Sequence, residues 1–263
     1  MNQLHNYVGT NMVYWTKRAP GYSEVNREEL QTAQRQVWSR ALDDRIQAHF
    51  RGAPRASLRV LDVGTGPGFF AIILTELGYR VTAVDYTEAM LEQARQNAGP
   101  LAEAIRFCRM NAEELSFADG SFDVIVSRNL TWNLPAPERA YAQWSRGLKP
   151  GGLLLNFDAN WYRYLYDTQA QERHRADRDK VRLTGTADDT AGTDVAAMEA
   201  IARQAPLSRC VRPQWDLQVL SSLGMRPAAD PEIWKRVWTR EEWINNASTP
   251  MFLVAASKAQ GMP

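Results

Sequence analysis

Cysteine and histidine are scarce in this chain of 263 residues. Two cysteines, Cys108 and Cys210, cannot build a disulfide framework or a four-ligand zinc site of the usual kind. The three histidines, His5, His49 and His174, lie far apart, and neither an HExxH nor a CxxC pattern occurs. No metal is therefore expected. No apolar run approaches the ~20 residues that a membrane-spanning helix needs. Residues 1–10 lack the basic start and apolar centre of a secretory signal. An excess of either charge is missing as well: 31 basic residues face 30 acidic ones, for a net charge of +1. That balance argues against nucleic-acid binding through bulk charge. The expectation is a cytoplasmic protein, monomer or homodimer, with neither a membrane nor a nucleic acid as partner.

What the chain does have is the composition of a packed protein. Apolar residues make up 44% and charged residues 23%, close to globular averages. The length admits one or two domains. Residues 26–50 space Leu30, Ala33, Val37, Ala41 and Ile46 near a helical period, with Asn26 as a candidate cap. A strand–helix alternation follows. Residues 58–63 (LRVLDV), 80–84 (RVTAV), 105–109, 122–127 (FDVIVS) and 153–157 read as strands. Residues 69–77, 88–97 and 137–148 read as the helices between them. This pitch predicts a parallel sheet covered on both faces, with the strand C-terminal ends on one edge where ligands bind. After residue 160 the pattern breaks. Aromatic residues, a charged stretch and a small polar loop (184–194) precede helices at 195–204 and 213–223 and a last apolar strand at 251–257. Residues 161–210 are too few for a comfortable core of their own. The expected layout is an N-terminal helical arm (1–52), a cofactor domain (53–160 and 211–263), and an inserted lid (161–210) on the substrate side.

Three features fall at the ligand edge. The first is Val60-Leu-Asp-Val-Gly-Thr-Gly-Pro-Gly68, with glycines at 64, 66 and 68. The dinucleotide fingerprint G-x-G-x-x-G would need glycine where Phe69 stands, which disfavours a nicotinamide dehydrogenase. Glycine at this turn lets backbone approach a ligand with no Cβ in the way, and the following helix offers free N–H groups. The second is Asp85, at the end of the next strand and 23 residues after Asp62. An acid at about that spacing can accept both hydroxyl protons of a ribose. The third is the run RMNAEELSF (109–117), in which Asn111 ends the third strand, where a side-chain amide could read an adenine edge.

Together with Ser121-Phe-Asp-Val-Ile-Val126 and Leu148-Lys-Pro-Gly-Gly152, these segments resemble class I S-adenosylmethionine-dependent methyltransferases. The similarity is to the small-molecule type, like the ubiquinone and menaquinone methyltransferases. It covers roughly residues 53–158 and the final strand. The resemblance implies a Rossmann-like, doubly wound α/β fold with a mostly parallel seven-stranded sheet. It implies that Asp62, Gly64, Thr65, Gly66 and Gly68 hold the methionine part of the cofactor. Asp85 would hold the ribose, Tyr86 would flank the adenine, and Asn111, Ala112 and Glu113 would meet its amino end. Where the family commonly has Asp, this chain has Asn111, whose oxygen can still accept an N–H.

Arg128 would lie beside the cofactor and face the substrate. The lead-in around Tyr14–Tyr22 implies that Tyr22 closes over the transfer site and that Arg18 reaches the methionine carboxylate. The substrate wall is expected from Asn129, Trp132, Asn160, Trp161 and Tyr162, with Asp158 as base or anchor. His174, among charged neighbours, reads as a surface residue. The expected reaction is transfer of a methyl group to a small molecule, with S-adenosylhomocysteine as product. The rivals are methylation of a protein or RNA and a non-catalytic S-adenosylmethionine-binding module.

Overall fold

The computed structural model describes residues 3–260. Two helices open the chain, α1 (Gln3–Gln31) and α2 (Ala33–His49). They precede an alternating series: β1 (Arg59–Val63), α3 (Phe69–Glu76), β2 (Arg80–Asp85), α4 (Glu88–Ala98), β3 (Arg106–Arg109), β4 (Phe122–Arg128), α5 (Pro137–Gly147) and β5 (Leu148–Asp158). Then come α6 (Thr168–Thr184), α7 (Val195–Ala202), α8 (Gln214–Ser222), β6 (Met225–Asp230), α9 (Trp234–Val237), α10 (Arg240–Asn246) and β7 (Phe252–Lys258). Among the described residues no helix is long and apolar enough to cross a membrane.

The seven strands form one sheet in the order β3-β2-β1-β4-β5-β7-β6. β1 to β5 pair in parallel, and β7 runs antiparallel to both β5 and β6. Because both faces are covered, the central strands are nearly continuous apolar runs. Side chains still alternate between the faces. Val60, Val124, Val126, Leu155 and Phe157 join α2 and α3 in one core, while Leu61, Val63, Ile125 and Leu154 join α5 and α8 in the other. Trp38 of α2 is fully buried, with Phe70 and Phe157 each 5.2 Å away between ring centroids. Truncating such a side chain costs about 3–5 kcal/mol, so α2 is a structural part of the domain and not a loose arm. A third, smaller cluster joins Tyr7 of α1 to Trp132 and to Met198, Ile201 and Ala202 of α7, above the C-terminal ends of the strands.

Two local expectations are corrected. The helix expected over 26–50 is two helices, and α1 runs back through Asn26 to Gln3. Pro20, followed by Gly21, sits inside α1 and argues locally for a break. Burial of Ala19, Ser23 and Asn26 on one side of α1 overrides it. Ser23 Oγ donates to Asn97 Oδ1 at 3.2 Å, and Asn97 Nδ2 donates to the Pro67 carbonyl at 2.9 Å, which fastens α1 to the end of α4 and to the glycine turn. The other correction is β6, which local sequence conceals. Pro227 interrupts it, and proline is tolerated there because β6 is the sheet edge.

Candidate active site

β1 ends in Asp62, and the chain turns through Gly64 and Gly66, both at positive φ (69° and 52°). The Gly64 and Thr65 amides donate to the Val84 carbonyl at 2.9 and 3.0 Å, so the turn is stitched to β2. Thr65 Oγ1 donates to Asp62 Oδ2 at 2.6 Å. Burial pushes the Asp62 carboxyl up to about 7 against that hydrogen bond. Asp85 Oδ2 accepts from the Gly66 amide at 3.0 Å, and its Oδ1 accepts from the Thr87 amide and hydroxyl, both at 2.9 Å. Burial raises its pKa, and those three donors pull the other way. A carboxylate has about four acceptor positions, so Asp85 still has room for hydroxyl donors.

The turn opens into a cavity of about 610 Å³, within the usual size of ligand sites. Asp62, Gly64, Thr65, Gly66 and Asp85 line one end of it, and Tyr86, Asn111, Ala112 and Glu113 line the neighbouring wall. Tyr22 of α1 lies over the turn: a Cβ added at Gly66 would sit 3.5 Å from its ring. Arg18 also lines this end and forms no ion pair among the described residues. Arg128, at the end of β4, enters from below. Its Nη2 donates to Glu29 Oε1 at 2.5 Å, its guanidinium carbon lies 4.7 Å from the Trp38 ring centroid, and its buried Nε has no partner.

The far half of the cavity is aromatic. Asn129, with φ 56°, starts the loop after β4, and its amide donates to the Phe157 carbonyl at 2.8 Å. Trp132 on that loop lies 4.8 Å from Tyr162 between ring centroids, and Trp161 lines the same wall. Tyr14, Trp15 and Met198 close the chamber from α1 and α7.

Three expected site residues are elsewhere. Gly68 does not line the cavity; a Cβ there would lie 3.0–3.2 Å from Ala94 of α4, so this glycine permits close helix packing. Asp158 is fully buried and bound to Arg212 Nη1 at 2.6 Å, while the same oxygen accepts the Trp132 amide at 3.0 Å. It therefore anchors the wall from behind and is not placed to act as a base. Asn160 is held by Arg212, whose amide it accepts at 3.1 Å and to whose carbonyl it donates at 2.9 Å. In the other direction, His174 lines the cavity. It stacks parallel on Tyr164 at 4.0 Å, and burial and the Arg178 charge lower its pKa, which favours the neutral imidazole at neutral pH. Arg178, one turn further along α6, also faces the chamber and is paired with Asp188 at 2.8 Å. The i,i+4 spacing of His174 and Arg178 was the available signal, hidden in a charged run.

With this geometry in hand, residues 61–156 match the family model described as a methyltransferase domain. Over that segment the chain is similar to methyltransferase domains. An uncharacterized methyltransferase of Mycobacterium sp. strain KMS is 40% identical over 97 residues, which is 36% of either chain. The demethylmenaquinone methyltransferase of Deinococcus radiodurans is 38% identical over 139 residues, 52% of this chain and 55% of that one. The chain thus spans between about a third and about half of the curated relatives it matches. Among solved structures, the CurJ carbon methyltransferase superposes with a TM-score of 0.59 at 15% identity, covering 90% of this chain and 58% of that one. At that identity the likeness concerns the fold. The matched segment supplies the glycine turn, Asp85 and Asn111, whereas the aromatic half of the chamber is completed by Trp161, Tyr162, α1, α6 and α7, outside that segment.

Proposed function

We propose that the protein transfers a methyl group from S-adenosylmethionine to a small molecule held in the aromatic chamber. The observation that carries this reading is the continuity of the cavity. One continuous space runs from the glycine turn and Asp85 to Trp132, Tyr162 and Met198. The residues fit the cofactor. Gly66 leaves an open cradle under Tyr22, Asp85 keeps acceptor capacity for ribose hydroxyls, and Arg18 offers an uncommitted guanidinium. The buried Asp62 carboxyl lies where an ammonium would favour its ionisation. When bound, the sulfonium supplies an activated methyl group, so this chain's own work is to align the acceptor and exclude water.

Tyr22 roofs the transfer end, and Trp132 and Tyr162 give the acceptor flat apolar walls. Helices α1, α6 and α7 flank a chamber whose whole volume is about 610 Å³, a size that suits a small acceptor better than a protein or RNA chain. In this reading residues 161–210 act as the lid.

The test is calorimetric titration of S-adenosylmethionine, S-adenosylhomocysteine and NAD into the purified protein, with Asp85→Asn beside it. Loss of a hydrogen bond to a charged group is worth about 1.5–3 kcal/mol, so affinity for both sulfur ligands should fall about 10- to 150-fold in the variant. Folded protein that binds neither sulfur ligand, or binds NAD instead, would overturn the proposal.

A further inference from the structure

We infer that the sheet edge opposite the candidate active site carries a second binding site, an arginine-lined cleft that takes a small molecule bearing linked phosphates. This inference is independent of the cofactor reading above. β1, β2 and β3 begin at that edge, and a cleft of about 460 Å³ lies over it, within the usual size of ligand sites. Arg59 opens β1, Arg80 opens β2 and Arg106 opens β3, and all three line the cleft.

Register sets the three on one face. Arg59 pairs with Arg80, and Arg106 pairs with Thr82, two residues beyond Arg80. Paired residues of neighbouring strands share a face, as do residues two apart along one strand. Neighbouring strands lie about 4.8 Å apart, so the three positive side chains are ranged within reach of one another. Like charges set side by side on adjacent strands repel. All three arginines are exposed, and Thr82 between them is half-buried. The face is open here because the connection from β3 to β4 (110–121) forms no helix.

The row has no counter-ion: among the described residues none of the three makes an ion pair. The acids around it are engaged elsewhere. Asp43 takes the Arg55 guanidinium and, at 2.7 Å, the Tyr79 hydroxyl. Asp123 takes Lys149 Nζ at 2.7 Å and the Arg59 amide at 2.8 Å. Glu103 lines the cleft without pairing, so three guanidinium groups against one carboxylate leave the lining at +2. Two of the guanidinium groups are positioned by rings. Arg59 lies 5.6 Å from the Phe122 centroid and Arg106 lies 5.9 Å from the Phe117 centroid, and the two rings pack edge to face at 5.0 Å. Stacking steadies a guanidinium plane and leaves its N–H edge free, and that fork matches phosphate oxygens bidentately. Arg106 stands one strand outward from Arg80 and two residues further along, so linked phosphates reach all three forks better than a single phosphate does. The whole chain has a net charge of only +1, which makes the cleft a local site and not part of a basic track for nucleic acid.

The experiment is calorimetric titration of sodium tripolyphosphate into the wild-type protein in about 0.15 M salt, where exposed charges are well screened. Beside it stand the double variant Arg80→Gln/Arg106→Gln and, as a control, Arg226→Gln, an exposed arginine on β6. Circular dichroism checks that each variant is folded. The wild type should bind with a Kd below about 1 mM, the double variant about tenfold or more weakly, and Arg226→Gln within about threefold of wild type. Folded wild type that shows no binding up to about 10 mM overturns the inference. Equal losses in the double variant and in Arg226→Gln also overturn it, because bulk charge would then do the binding. Tighter binding of oligothymidylate or oligoglutamate than of tripolyphosphate overturns it too, since the row would then belong to a nucleic-acid or acidic-protein interface.

Discussion

The three glycines after Asp62 look equivalent in sequence, yet alanine should act on them in different ways. Gly66 has φ 52°, and an added Cβ would meet nothing closer than the Tyr22 ring at 3.5 Å, an ordinary contact. The folding cost of Gly66→Ala is then the left-handed backbone alone, about 1–2 kcal/mol. At about 2–4 °C per kcal/mol for a chain near this size, Tm should fall by roughly 2–8 °C. The same methyl group fills the cradle where the cofactor would approach backbone, so affinity for S-adenosylhomocysteine should fall about tenfold or more.

Gly68 has φ 93°, and its Cβ would lie 3.0 Å from Ala94 Cβ and 3.2 Å from Ala94 Cα. Backbone strain of about 1–3 kcal/mol and overpacking of about 1–3 kcal/mol then add to roughly 2–6 kcal/mol. That is a large part of a typical stability of ~5–15 kcal/mol. Thermal unfolding followed by circular dichroism, with calorimetric titration at a temperature where both variants are folded, separates the two effects. The reasoning fails if Gly66→Ala keeps its affinity within about threefold of wild type. It fails equally if Gly68→Ala loses affinity without losing stability, since Gly68 would then belong to the ligand site.

Two further outcomes follow from buried charge. Asp62 holds its proton up to about pH 7 in the folded protein, against about 3.9 for a free aspartate side chain, so the folded state binds that proton more tightly than the unfolded state. Its contribution to stability is complete below the lower value and is lost as pH rises through the higher one. Between pH 5 and 8 the wild type should lose about 2–3 kcal/mol more than Asp62→Asn in urea unfolding; parallel pH curves would show that Asp62 ionises freely. The fully buried Arg212 is bonded to Asp158 at 2.6 Å and to Asp216 at 2.7 Å. Arg212→Met leaves two carboxylates without a counter-ion and should cost about 3–5 kcal/mol in the same assay, and a loss below about 1 kcal/mol would show that other groups neutralise them.

Much of the glycine-turn end of the cavity was legible because its turn chemistry is local. A glycine turn, an acid closing the next strand and an amide closing the third are each set by their immediate neighbours in sequence. Parallel register then brings them together, since Val63 pairs with Val84 and Asp85 with Arg109. The acceptor half was read less well because burial and pairing, and not residue type, assign its roles. Asp158 and His174 show the difference. The carboxylate that looked reactive is sealed by Arg212, 54 residues away, while the histidine that looked solvated is turned inward against Tyr164. Neither partner is recoverable from spacing.

The sequence by itself determined the alternating order of strands and helices and the residue types at the sheet edge where the cavity opens. These rest on hydrophobic period and turn chemistry, which act over a few residues. Tertiary structure alone decided that α1 continues through Pro20, that Met225–Asp230 is a strand, and that Gly64 and Gly66 line the cavity while Gly68 does not. Each of these turns on a neighbour supplied by another element: α4 beneath α1, β7 beside β6, and Ala94 against Gly68.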